Sequence, residues 1–208
     1  MKDGKGLTAL DRIFLFCVYA PVFPIMLFLA GWWGSIPLVP ENRIFIYAFL
    51  GLALGIGADL VVLGRWLKAG YRIGMVARIA VYLFYMVGVW GFFMGVPVFN
   101  VLVGAAAGIF VSRGMTMDGA GKRAIRKALG RTAIFATAVM LLVCIASAAI
   151  AFLSSSTPSD LSGMSGLRIT PAIVRLIILV GGVFLLVAQY WLTVIAGTLA
   201  VRSGGTPY

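Results

Sequence analysis

Long apolar runs separated by short polar interruptions set the pattern of this chain. Six runs are long enough to be drawn as helices: Ile13 to Ile36, Ile44 to Gly64, Ile73 to Met94, Pro97 to Ser112, Thr132 to Leu153 and Ile173 to Val201. A hydrocarbon layer of about 30 Å is crossed by a helix of about 20 residues. The pattern therefore predicts an all-α, polytopic membrane helix bundle of about six transmembrane helices, one membrane domain over residues 1–208 with no soluble module.

Two runs carry internal punctuation. Pro21 and Pro24 remove backbone donors from the first, which predicts a kink or a local break there, either a gating hinge or simple shape-fitting. Only Gly95, Val96 and Pro97 separate the third run from the fourth, and proline is tolerated in the first turn of a following helix, so a tight hairpin is expected. The fourth run is short enough that a re-entrant half-helix is the alternative. The last run exceeds what a bilayer requires and must tilt, bend near Gly181 and Gly182, or protrude.

Composition agrees with lipid as the main solvent. Of the 208 residues 62% are hydrophobic and 11% charged, and the mean hydropathy is +1.08, values a soluble domain with a polar surface does not reach. The net charge of +11 would suggest nucleic acid for a soluble protein, but here its placement decides. With the N-terminus in the cytoplasm, fourteen of the 17 Lys and Arg fall on the inner side, and only Arg43, Arg168 and Arg175 fall outside. Adding or removing one span would destroy this positive-inside bias, which puts both termini in the cytoplasm. The first helix is expected to be retained, since no small-residue cleavage site follows it. Trp32 and Trp33 at one end of span one and Trp66 at one end of span two suit the headgroup level. Between Leu153 and Pro171 the stretch SSSTPSDLSGMSG reads as a flexible external segment.

Polar chemistry is confined to a few stripes at helical spacing. Gly51, Gly55 and Asp59 share a face of span two; Arg78, Tyr82 and Tyr85 share one of span three. Asn100, Gly104 and Gly108 line span four, and Gly182, Gln189, Thr193 and Gly197 line span six. Small residues permit close helix packing and a polar side chain can supply one interhelical hydrogen bond; the alternative is a polar pathway lined by Asp59, Asn100, Gln189 and Thr193. Asp59 stands out as the only carboxylate within these spans, and a charge at that depth marks a candidate for proton or cation handling. Asp59 and Arg78 are equally far in sequence from the turn at Lys68 and Ala69. Antiparallel helices leaving that turn would place both about 9 Å deeper than Arg65 and Arg72, at 1.5 Å rise per residue. An intramembrane ion pair is the expectation, as a strut of the hairpin or as a charge relay.

The segment Lys122 to Arg131, KRAIRKALGR, groups Ala124, Ile125, Ala128 and Leu129 on one side and reads as a short interfacial helix on anionic lipid headgroups. Nucleic acid is not expected as a partner, because no aromatic platform accompanies these charges. Cys17 and Cys144 lie at depths differing by more than a disulfide spans. The stretch Gly95-Val-Pro97-Val-Phe99-Asn100, continuing through Gly104, Ala107 and Gly108, resembles a segment of prokaryotic multi-span membrane proteins without known activity. That resemblance covers about a tenth of the chain and implies a prokaryotic inner membrane.

The chain has no histidine, which removes His-based metal sites, Ser-His pairs and a His general base. No Walker A or dinucleotide fingerprint is present. Neither an enzyme nor a resident cofactor or metal is expected. Two functions remain: a small transporter or channel built around Asp59, or an accessory protein that binds another membrane subunit, or a second copy of itself, through its glycine faces. The first calls for water access to Asp59, the second for a GxxxG face left turned to lipid.

Overall fold

The structure, a computed structural model, describes residues 7–93, 95–154, 157, 162–163, 166 and 170–203. Among these, seven α-helices occur and no strand: α1 (Ala9–Tyr19), α2 (Val22–Ser35), α3 (Glu41–Ala69), α4 (Met75–Phe92), α5 (Asn100–Met117), α6 (Lys122–Leu153) and α7 (Pro171–Ser203). Taking α1 with α2, six segments are long and apolar enough to cross a membrane. The protein is thus an all-α, multi-pass membrane protein. The serine-rich segment before α7, with Arg168, lies almost wholly outside the described residues, as do Lys2 and Lys5.

The chain divides into two compact units, Met1–Phe84 and Tyr85–Tyr208. In the first, α1 opens on a capping box in which Thr8 accepts from the Asp11 backbone N–H and the Asp11 carboxylate accepts from the Thr8 N–H. It stops at Tyr19, and α2 resumes at Val22. The break expected from the prolines is real: Pro21 precedes the new helix, and Pro24 cannot donate to the carbonyl of Ala20 four residues back.

Glycines then let α2 lie backbone to backbone on α3. A Cβ on Gly31 would overlap the Tyr47 carbonyl, one on Gly51 the Leu27 carbonyl, and one on Gly55 the backbone of Phe23 and Pro24. Falling numbers on α2 meet rising numbers on α3, so the pair is antiparallel. Rings seal its flanks, with Trp32 edge-on to Phe45 at 5.2 Å and Trp66 at 5.3 Å from both Tyr19 and Phe23. α3 is capped by Gly70, whose φ of 59° suits a residue without Cβ. A 3-10 turn follows over Gly70–Arg72.

In the second unit the expected Gly-Val-Pro connection is present. Gly95 takes φ 82°, and Pro97 opens a 3-10 turn that leads directly into α5. Trp90 Nε1 ties the connection down, donating to the Gly95 carbonyl at 3.0 Å and to Ser147 Oγ at 2.8 Å. α5 and α7 run parallel: a Cβ on Gly104 would collide with the Gln189 amide and approach the Thr193 hydroxyl, and one on Gly108 would overlap the Thr193 carbonyl. Gly197 packs in turn on Gly108, Ser112 and the Leu129 side chain of α6. Gly182 meets nothing within 4 Å, so the stripe expected on this helix begins at Gln189.

Several helices run past the apolar spans, α1 beginning at Ala9 and α5 continuing to Met117, and two of these boundaries are instructive. KRAIRKALGR is not a separate interfacial helix but the first turns of α6, and its Ile125 and Leu129 are buried inside the protein while Lys122, Arg123, Arg126, Lys127 and Arg131 are exposed. Apolar spacing alone does not distinguish a face turned to lipid from a face turned to α7. The other difference is at the end of α3, which runs past Gly64 through Arg65, Trp66, Leu67 and Lys68. Long cationic stems cover apolar surface while their heads reach water, so a helix continues where hydropathy falls.

Candidate functional site

Asp59 lies one helical turn beyond Gly55 on the face of α3 that α2 covers, and it is 8% exposed. The register between the helices locates what it faces. Tyr47 and Ala48 meet Gly31, Gly51 meets Leu27 and Phe28, and Gly55 meets Phe23 and Pro24. Each step of four along α3 is thus a step of four back along α2, and the next step, to Asp59, leads past the start of α2 at Val22 toward the break between α1 and α2. Its Oδ1 has no hydrogen-bond partner. A buried carboxylate oxygen without a donor is a group able to take up a proton or a small cation.

The expected ion pair with Arg78 is not formed. Arg78 is exposed, and Asp59 carries an unpartnered oxygen. Two physical reasons account for this. Because α3 ends at Ala69 and α4 begins at Met75, the turn is centred near Arg72, and the two residues differ in depth by about seven residues, or about 10 Å along the helices. Moreover, depth says nothing about azimuth, and the Gly51, Gly55, Asp59 stripe is taken by α2. On the stripe of span three, Tyr82 is buried while Arg78, in the first turn of α4, is exposed.

A second buried carboxylate was missed by counting spans from Ile13. Asp11 is 4% exposed. Its Oδ2 accepts from the Thr8 N–H at 3.0 Å and the Thr8 hydroxyl at 2.7 Å, and its Oδ1 accepts from the Tyr71 hydroxyl at 2.8 Å. Tyr19 makes a parallel tie, its hydroxyl donating to the Gly70 carbonyl at 2.8 Å. Two tyrosine hydroxyls therefore fasten the half-helix α1 to the turn after α3. The signal was present in the sequence as Thr8-x-x-Asp11, a capping-box spacing just before an apolar run.

Asn100, Gln189 and Thr193 belong to the second unit, so the five candidate residues do not form one constellation within either unit. All three are fully buried, and so is Ser112, which the sequence reading did not single out. Asn100 Nδ2 donates to the Met86 carbonyl at 2.6 Å, and Gln189 Nε2 to Thr193 Oγ1 at 3.2 Å. Thr193 Oγ1 donates to the Gln189 carbonyl at 2.7 Å.

Among the described residues no three His, Cys, Asp or Glu side chains gather as a metal site, and the two cysteines form no disulfide. Comparison of the chain with protein-family models, with curated proteins and with solved structures finds no match in any of the three.

Proposed function

We propose that this protein is a small transporter or channel in which Asp59 takes up a proton or small cation beside the break in the first span. The observation that carries this reading is Asp59, buried, with an Oδ1 that has no hydrogen-bond partner. A carboxylate kept at that depth without a donor is a functional feature by default. The half-helix α1 is the moving part: it joins α2 only through Ala20 and Pro21, and hydroxyl ties to Asp11 and Gly70 hold it closed. Displacing it exposes Asp59 on the side bearing Arg65 and Arg72.

The charge asymmetry supports a cytoplasmic position for that side and for both termini, and the resemblance of the stretch from Gly95 to Gly108 supports a prokaryotic inner membrane. The exposed Lys122, Arg123, Arg126, Lys127 and Arg131 meet anionic lipid headgroups there. The accessory-subunit reading called for an unused GxxxG face. Gly51 with Gly55, and Gly104 with Gly108, are each occupied within their own unit, which supports transport over assembly.

The test is ion flux into proteoliposomes holding the full chain, driven in turn by proton, sodium and potassium gradients. The native protein should move one of these ions, and Asp59→Asn should slow it at least about tenfold, the effect of losing a site charge worth about 1.4 kcal/mol or more in the barrier. No flux of any of the three, or equal flux in the variant, would defeat the proposal.

A further inference from the structure

The connection between α4 and α5 stops short of the helices beside it. Trp90 Nε1 bonds both to the Gly95 carbonyl, at the tip of this connection, and to Ser147 Oγ of α6, at 3.0 and 2.8 Å. The tip thus stands beside Ser147, yet α6 continues to Leu153, about 9 Å farther. α7 gives the same result. It runs parallel to α5 with Gly104 against Gln189 and Thr193, so Asn100, where α5 begins, falls level with Val187. From Val187 to Pro171, the start of α7, is about 24 Å, of which the 3-10 turn Pro97–Phe99 takes about 6 Å and Gly95 and Val96 at most about 7 Å. Both neighbours rise about 10 Å past the tip. The face of α7 that meets α5 therefore runs on uncovered: Gly182 meets nothing within 4 Å, and Arg175, about four turns before Gln189 on nearly the same face, is exposed.

Two arginines give the depth. The short turn between Met117 and Lys122 reverses α6 against α5, and so against α7. With Leu129 touching Gly197, Arg175 is level with Ala151, about 30 Å from the exposed Arg131, which is the thickness of the hydrocarbon layer. Ser147 and the tip are only about 24 Å from Arg131.

The chemistry of the tip agrees. From Gly91 to Phe99 the sequence GFFMGVPVF has no charged or hydroxyl side chain, whereas the α2–α3 connection is flanked by Ser35 and by Glu41, Asn42 and Arg43. The N–H groups of Gly95 and Val96 donate to the carbonyls of Trp90 and Phe93, the Gly95 carbonyl accepts from Trp90 Nε1, and Pro97 has no N–H. Pairing within the protein is what hydrocarbon demands of a backbone. The helix ends that rise past the tip are equally unsuited to water, since Ile150, Phe152, Leu153, Leu176, Ile177 and Leu179 are all exposed. We infer that the α4–α5 hairpin turns back inside the bilayer and that outer-leaflet lipid closes over its tip between α6 and α7. A hairpin that enters and leaves on one side keeps both termini where the charge asymmetry puts them. This surface does not involve Asp59 and stands whether or not that residue carries an ion.

Spin labels test it on the full chain in liposomes of phosphatidylethanolamine and phosphatidylglycerol. Cys17 and Cys144 are replaced by Ala, and labels are attached to Val96→Cys, to Val98→Cys in a separate variant, and to Ala172→Cys at the start of α7 as the surface reference. Val96 and Val98 are each 52% exposed, so either site accommodates a label and one folded variant decides the matter. Electron paramagnetic resonance reads collisions with oxygen, which concentrates in hydrocarbon, and with a nickel chelate confined to water. The ratio of oxygen to nickel collisions should be at least about threefold higher at the tip than at Ala172, as a position below the headgroups requires. Equal ratios, with nickel reaching both, would place the tip in water and overturn the inference. Scarce collisions with both reagents at the tip would mean that a second copy of the chain covers it in place of lipid, which overturns the inference as well.

Discussion

The first unit contains two buried aspartates that differ in one respect. Asp11 is surrounded by donors, from Thr8 and from Tyr71 in the α3–α4 turn, while Asp59 is buried with one oxygen left unpartnered. Burial alone does not separate a structural carboxylate from a working one; the presence or absence of donors does. A satisfied carboxylate fixes its surroundings, since moving it means breaking several charge-assisted bonds. An unsatisfied one is maintained against its own desolvation by the surrounding packing, which here is the glycine contact of α2 on α3.

The contrast can be broken at that packing. Gly51→Leu drives a side chain into the Leu27 carbonyl, a backbone atom that cannot yield, and should destabilise the first unit by about 3 kcal/mol or more, seen as lost thermal stability in detergent. Asp11→Ala should rank next, at about 3 kcal/mol, because it strands the donors of Thr8 and Tyr71. Tyr71→Phe removes one of those donors and should fall between that and no effect, at about 1–2 kcal/mol. Asp59→Asn should change stability least, by about 0.5 kcal/mol in either direction, and in a double-mutant cycle with Arg78→Gln the two changes should add. Coupling of several kcal/mol in that cycle would restore the ion pair and make the two aspartates alike.

Much of the fold is legible in the sequence because hydropathy and proline act locally. Six spans, the break at Pro21 and the turn at Gly95 and Pro97 follow from residues within one turn of the feature. Helix ends were harder: the stretches Arg65 to Lys68 and Lys122 to Arg131 carry several cations, yet α3 and α6 run through them, since cationic heads can reach water from a continuing helix. The glycine stripes were readable as faces, but the helix that each face meets is a tertiary choice. That is why Asp59 was assigned to Arg78 when α2 held its side of α3. Ser112 carried no signal at all, because what buries it is the approach of Gly197 on α7.

The central claim is that Asp59 is chemically open where Asp11 is closed, and a hydrophobic carbodiimide reads this directly. Dicyclohexylcarbodiimide enters the bilayer and forms a stable N-acylurea on an available carboxyl group there, located by peptide mass. Membrane vesicles containing the native protein should give the adduct on Asp59 and none on Asp11, with labelling reduced by the cation the protein binds. An adduct on Asp11, or an unlabelled Asp59 in folded protein, would contradict the account.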